Sequence, residues 1–216
     1  MGVEFFETTA HGGARPSHAE WQGRQFHRGG AVDYMGKHYP DFEAATGYGT
    51  GAGLCGWNCR HTYYPFIPGV SERLYTDEWL EEQNARENTP RRFRGKEYTT
   101  YEATQKQRQM ETAMRARREQ VQLLRAGGAD KEDITIAQCK YQAQLEQYRS
   151  FSKAMGLEEQ TERIYTGRTP GRISPSPQVY AQWQAEQAAK AANRAKERAE
   201  KQRRAAQDAA QKGAST

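Results

Sequence analysis

All five histidines and two of the three cysteines fall within the first 61 residues. Two of these histidines and both cysteines lie in two stretches, RPSHAEWQG (15–23) and GLCGWNCRH (53–61). Two chemistries use such residues. A nucleophilic thiol needs a base beside it, and His18 could serve Cys59 in that way. No stretch marks an oxyanion hole or a substrate pocket, so catalysis is not expected. A metal site fits the residue types better, because zinc takes cysteine sulfur and histidine nitrogen, four in number. Cys59 and His61 are two apart and would share one side of a strand. Cys55 lies four residues back across a Trp-Asn turn, and His18 or His11 would complete the set His18, Cys55, Cys59 and His61. The C-x3-C-x-H spacing is not that of a standard zinc finger. The alternative is a hydrogen-bonded knot in which Arg15, His18, Asn58 and Arg60 hold loops that a small core cannot.

These residues need a frame, and composition supplies one only in part. The chain of 216 residues is 36% hydrophobic, against a usual ~45–50% in a count that includes Gly. Mean hydropathy is −1.07. One core running through the whole chain is therefore not expected. No apolar run reaches the ~18 residues of a transmembrane helix. MGVEFFETTAHGG lacks the basic and apolar regions of a secretory signal. It begins close to the first motif, so a piece or shortened form of something longer is expected. Without a signal, reduced cysteines are the default, and three cysteines make no disulfide framework.

Charge is uneven. Residues 1–79 carry six basic and nine acidic groups, residues 80–177 carry 18 and 14, and residues 178–216 carry eight and four. A basic balance suits a place near nucleic acid, and it also suits an ordinary solvated helix.

The composition changes near residue 80. Residues 1–79 read as a loop-rich unit. GYGTGAG (47–53) cannot be helical with four glycines. No Lys-Ser/Thr follows it, so it is not a phosphate-binding P-loop. SHAEWQG suggests a short helix capped by Ser17 and ended by Gly23. HTYYPFIPGVS (61–71) suggests an edge strand, with Tyr63, Tyr64, Phe66 and Ile67 supplying core. A short helix capped by Thr76 follows. Residues 80–97 end in a basic link, in which Arg91, Arg92, Arg94 and Lys96 are candidate phosphate contacts. Residues 98–156 predict a helical hairpin. Thr99 and Glu102 form a capping box, GGAD turns the chain, and Ile134, Ala137, Tyr141, Leu145, Tyr148 and Met155 recur at three- and four-residue spacing. Residues 157–178 form a Pro/Gly linker. Residues 179–216 form an Ala/Lys/Arg/Glu-rich helical tail, able to dock by Tyr180 and Trp183. The expected fold class is α+β.

AHGGARPSHAEWQGRQF followed by YPDFEAATGYGTGAGLCGWNCRHTYYPFIPGVSERLY resembles the phage minor capsid protein 2 family. It is similar, more distantly, to the Mu-type F-protein head-morphogenesis family. Arg15, Pro16, His18, Ala19 and Gly23 match the first part of the wider pattern, and Asn58, Cys59 and Arg60 the second. His61 stands where that pattern more often has a second Cys, an exchange a metal ligand tolerates. FSKAMGLEEQTERIYTGR (151–168) resembles the family's helix end and basic segment. Relatives usually carry a large helical region ahead of the His motif, thought to engage the portal side of the head.

The resemblance implies a minor structural protein of a tailed-phage or prophage capsid, acting in head assembly or genome delivery near the portal, with no reaction catalysed. Its motif residues would be Arg15, Pro16, His18, Trp21, Gly23, Trp57, Asn58, Cys59, Arg60 and His61. Zinc is the candidate ion. Portal and other capsid proteins are the implied partners, with packaged DNA met by the basic segments and no membrane. The implied location is the capsid interior or portal vertex, and the host cytoplasm during assembly. A DNA-binding assembly factor and an effector-type enzyme are the alternatives.

Overall fold

The computed structural model describes residues 4–165 and 173–213. The chain divides into two compact units: Met1–Arg108 with Phe151–Glu158, and Gln109–Ser150 with Glu159–Thr216. The architecture is α+β, with short antiparallel strands in the N-terminal part and long helices after them.

In the first unit, strand β1 (Phe5–Thr8) is followed by a single helical turn, α1 (Pro16–Ala19), and β2 (Gln25–His27). A two-stranded ribbon, β3 (Val32–Tyr34) and β4 (Lys37–Tyr39), leads to α2 (Phe42–Thr46) and β5 (Tyr63–Pro65). β1 is the centre of a three-stranded sheet, antiparallel to β2 on one side and β5 on the other. Pro65 is tolerated because β5 is an edge. One side of the sheet buries Phe6, Trp21, Phe26, Phe42 and Leu54, with Tyr48, Cys59 and Tyr63 packed against them. The rings meet edge-on or tilted, Phe42 and Tyr63 at 4.9 Å between centroids, the arrangement their quadrupoles favour. Glu7 is fully buried. Its carboxylate accepts from Gln25 Nε2 at 2.8 Å, the Tyr64 hydroxyl at 2.7 Å and the Leu74 amide at 3.0 Å. Three donors replace the water that such a group loses.

Several local expectations change. Ser17 does not cap α1. Pro16 occupies the first helical position, Arg15 stands at the N-cap, and no side chain caps the turn. Ile67 is 53% exposed and adds nothing to the core, whereas Phe66 is buried. Thr76 does cap α3 (Asp77–Asn88), accepting from the Trp79 amide. The expected basic link after it is a hairpin, β6 (Arg91–Phe93) and β7 (Lys96–Tyr98), turned by Arg94 and Gly95 at positive φ. It folds because Phe93 and Tyr98 both pack edge-on against Phe151, at 5.3 Å.

Helix α4 (Thr100–Ala126) starts at the capping box, where Glu102 accepts from the Thr99 amide at 2.9 Å. Helix α5 (Lys131–Met155) follows a Gly-Gly turn. In the second unit they run antiparallel. Met110, Met114 and Val121 of α4 and Ala137, Tyr141, Leu145 and Tyr148 of α5 are buried, and Arg117 donates to Gln144 across the pair. A further turn, α6 (Thr161–Ile164), buries Ile164. It lies within the expected Pro/Gly linker, of which residues 166–172 fall outside the described ones. Helix α7 (Pro177–Gly213) docks by its first turn, the Tyr180 hydroxyl donating to Glu146 Oε2 at 2.9 Å with Trp183 stacked on the Tyr180 ring. From 184 to 207 every residue is exposed. Among the described residues no helix is long and apolar enough to cross a membrane.

Candidate functional site

The first unit brings three of the sequence-selected side chains to one point. His18 leaves α1, while Cys59 and His61 lie just before β5. His18 and His61 are 2% and 4% exposed. Nδ1 of His18 and Nδ1 of His61 are 3.4 Å apart, and Cys59 Sγ lies 3.8 Å from the first and 3.6 Å from the second.

Hydrogen bonding at the far side of each ring fixes which nitrogen carries the proton. His18 Nε2 is 2.9 Å from the Ala52 carbonyl oxygen, which can only accept, so Nε2 donates. His61 Nε2 is 3.0 Å from Gln22 Oε1. The His11 amide donates to the same oxygen, which settles the orientation of the Gln22 side chain. His61 therefore also donates from Nε2. Burial lowers the pKa of both rings, that of His61 to about 3 with His11 and His18 adding to the effect, so both are neutral at pH 7. The two Nδ1 atoms then present bare lone pairs to each other and to the thiol.

The surrounding loops hold this arrangement. Arg15 donates to the Trp57 carbonyl at 2.7 Å, tying α1 to the Cys loop. Arg60 donates to the Gly12 carbonyl at 3.0 Å. Trp21 is buried with its ring 4.6 Å from His18 and 4.9 Å from His61. Gly23 sits at φ 66, where an added Cβ would lie 2.7 Å from Leu80 Cδ2. Asn58 is left-handed at φ 55, and Trp57 is 78% exposed, its ring lying over Gly51. Cys55, at φ 61, is not part of the cluster: its thiol is directed to the His61 carbonyl at 3.6 Å.

Other positions come to the site, and of these Gln22, Tyr101, Gln105 and Arg108 carried no sequence signal. Gln22 is a buried second partner. Tyr101, Gln105 and Arg108 of α4 share a helix face and, with Arg15, Asn58 and Arg60, line a cavity of about 290 Å³ onto which His18, Cys59 and His61 open. His11 stacks on His61 at 3.9 Å, and its Nε2 is buried without a partner among the described residues. The candidate phosphate contacts lie on the β6–β7 hairpin instead. Arg91 donates to the Met155 carbonyl at the end of α5, Arg94 lies over Phe93 and Lys96 over Tyr98. All four cations are exposed.

The sequence model of the family described as Phage minor capsid protein 2 matches residues 1–153. The chain belongs to the phage minor capsid protein 2 family. The match takes in the whole His/Cys cluster, its cavity and nearly all of α5, and ends before α6 and α7. Membership makes this a phage structural protein associated with other phage structural proteins, and places it with the virion. No curated protein and no solved structure matches the chain.

Proposed function

We propose that this minor capsid protein 2 family member acts in head assembly or genome delivery near the portal, inside the head, as a scaffold and not a catalyst. Family membership over residues 1–153 carries the reading. Three features support it. The small aromatic unit is tied together by polar contacts between residues more than forty positions apart. The hairpin presents a long exposed face that includes the apolar Leu123, 65% exposed. Helix α7 runs to 37 residues, about 55 Å at 1.5 Å each. From 184 to 207 every residue is exposed, which leaves this stretch free to meet a partner. Cross-linking mass spectrometry on purified heads tests the reading. Cross-links from α4, α5 or α7 lysines to portal protein support it. Cross-links confined to the major shell protein overturn the portal assignment.

A second reading, a DNA-binding assembly factor, is favoured by eight basic against four acidic side chains in residues 178–216. DNA affinity falling steeply with salt, and lost on deleting those residues, would support it. Affinity that is undetectable at low salt would remove it.

A further inference from the structure

We propose that His18 Nδ1, Cys59 Sγ and His61 Nδ1 bind one Zn²⁺, with its fourth position open to the arginine-lined cavity. The inference goes beyond the capsid role and does not depend on it.

The spacing carries the argument. In a tetrahedral site with Zn–N about 2.0–2.1 Å and Zn–S about 2.3 Å, ligand nitrogens lie about 3.3 Å apart and nitrogen and sulfur about 3.6 Å. The three separations are 3.4, 3.6 and 3.8 Å. The cluster already has the size of a coordination shell, with room at its centre for one small cation.

Proton positions support the same conclusion. Both rings spend their N–H outward, on the Ala52 carbonyl and on Gln22 Oε1. Metal-bound histidines show this pattern, the outer acceptor fixing the tautomer and orienting the ring. Inward, two bare nitrogens and one sulfur share at most the single thiol proton. Without a cation, one lone pair stays buried against another. A divalent ion replacing that proton satisfies all three, and the mixed thiolate–imidazole set favours zinc over the hard oxygen-seeking cations.

The fourth position distinguishes this site from a closed structural one. The three ligands open onto the cavity that also holds Arg15, Arg60 and Arg108. Cys55 does not fill the position, since its thiol is turned to the His61 carbonyl. A water or an anionic oxygen from the cavity does so. The His11 Nε2 on the same wall, buried and without a partner among the described residues, is a hydrogen-bonding group for that ligand. The ion also has a mechanical effect. It joins α1 to the segment before β5, residues 41 and 43 positions apart.

The test is metal analysis of the purified full-length chain, followed by X-ray absorption at the zinc edge. The expected result is one zinc per chain, in a shell of one sulfur and three nitrogen or oxygen ligands. Cys59→Ser and His18→Ala should lose the zinc, and Cys55→Ser should keep it at full stoichiometry. If the first two variants fail to fold, the wild-type shell and Cys55→Ser still decide. A wild-type chain without zinc that also fails to take up added Zn²⁺ at micromolar concentration overturns the proposal. Two sulfurs in the shell, or zinc lost in Cys55→Ser, overturns the three-ligand site. None of these outcomes depends on whether the protein is found near the portal.

Discussion

Gly53→Ala should destabilise the first unit far more than Gly49→Ala, although both glycines lie in the same seven-residue loop. The loop leaves α2 at Gly47 and folds back, with the Gly47 carbonyl accepting from the Thr50 amide at 3.0 Å and the Thr50 hydroxyl at 2.7 Å. Gly53 packs directly on that peptide. A Cβ at Gly53 would lie 1.9 Å from the Gly47 oxygen and 2.3 Å from its carbonyl carbon. Ordinary carbon contacts need ~3.5 Å, so the backbone would have to open by roughly 1.5 Å. Leu54, 1% exposed, and the Ala52 carbonyl that accepts from His18 both sit on the turn segment that would move. Displacing Leu54 costs about 1.5–3 kcal/mol, and the His18 hydrogen bond adds about 1 kcal/mol. Gly49 meets nothing within 4 Å and sits at φ 87, so its alanine pays only for left-handed backbone, about 1–2 kcal/mol. The difference is about 2 kcal/mol, roughly a thirtyfold change in the folding constant. Urea unfolding followed by tryptophan fluorescence measures it, since Trp21 lies in the affected core. Equal destabilisation by the two substitutions would refute the reasoning.

Tyr148→Phe should lower the stability of the second unit by about 1–3 kcal/mol, the cost of leaving the Gln160 amide without its acceptor. The fully buried hydroxyl accepts from the Gln160 amide at 2.7 Å and donates to Glu111 at 3.3 Å; a thermal shift indistinguishable from wild type would contradict this. Asp41 should make the first unit acid-sensitive. Its carboxylate, held below the ordinary aspartate range by the Ala44 and Gly30 amides, contributes fully above that range and stops contributing as pH falls through the lowered value. Asp41→Asn keeps the cap and should flatten this part of the pH profile of melting; parallel profiles would rule the effect out. Thr99→Ala, which removes one arm of the capping box, should cost about 1 kcal/mol in urea unfolding, and no change would show that α4 starts independently of it.

The helices were legible because their signals are local. The spacing of Tyr141, Leu145, Tyr148 and Met155, the Gly-Gly turn and Gly156 placed α5 at Lys131–Met155, where the structure has it. The short strands were not, because three residues carry no period. Arg91–Phe93 and Lys96–Tyr98 look like a charged link until Phe151, more than fifty residues on, covers Phe93 and Tyr98. Ser17 looked like a cap, but Pro16 takes the first helical position. At the site, His18, Cys59 and His61 were visible by residue type. Their convergence depends on a sheet that brings distant segments together. Cys55 shows the limit of spacing arguments: its thiol meets the His61 carbonyl and not the two ring nitrogens, although sequence distance alone made it a plausible member of the cluster. Gln22 carried no signal, because a glutamine that fixes a histidine tautomer resembles any other glutamine.

The most direct test of the capsid assignment is quantitative mass spectrometry of purified particles, with this polypeptide measured against portal protein. The structural account predicts that it is present in mature particles, in few copies relative to the major shell protein. Its absence from mature particles, with the protein abundant in infected cells, would contradict that account.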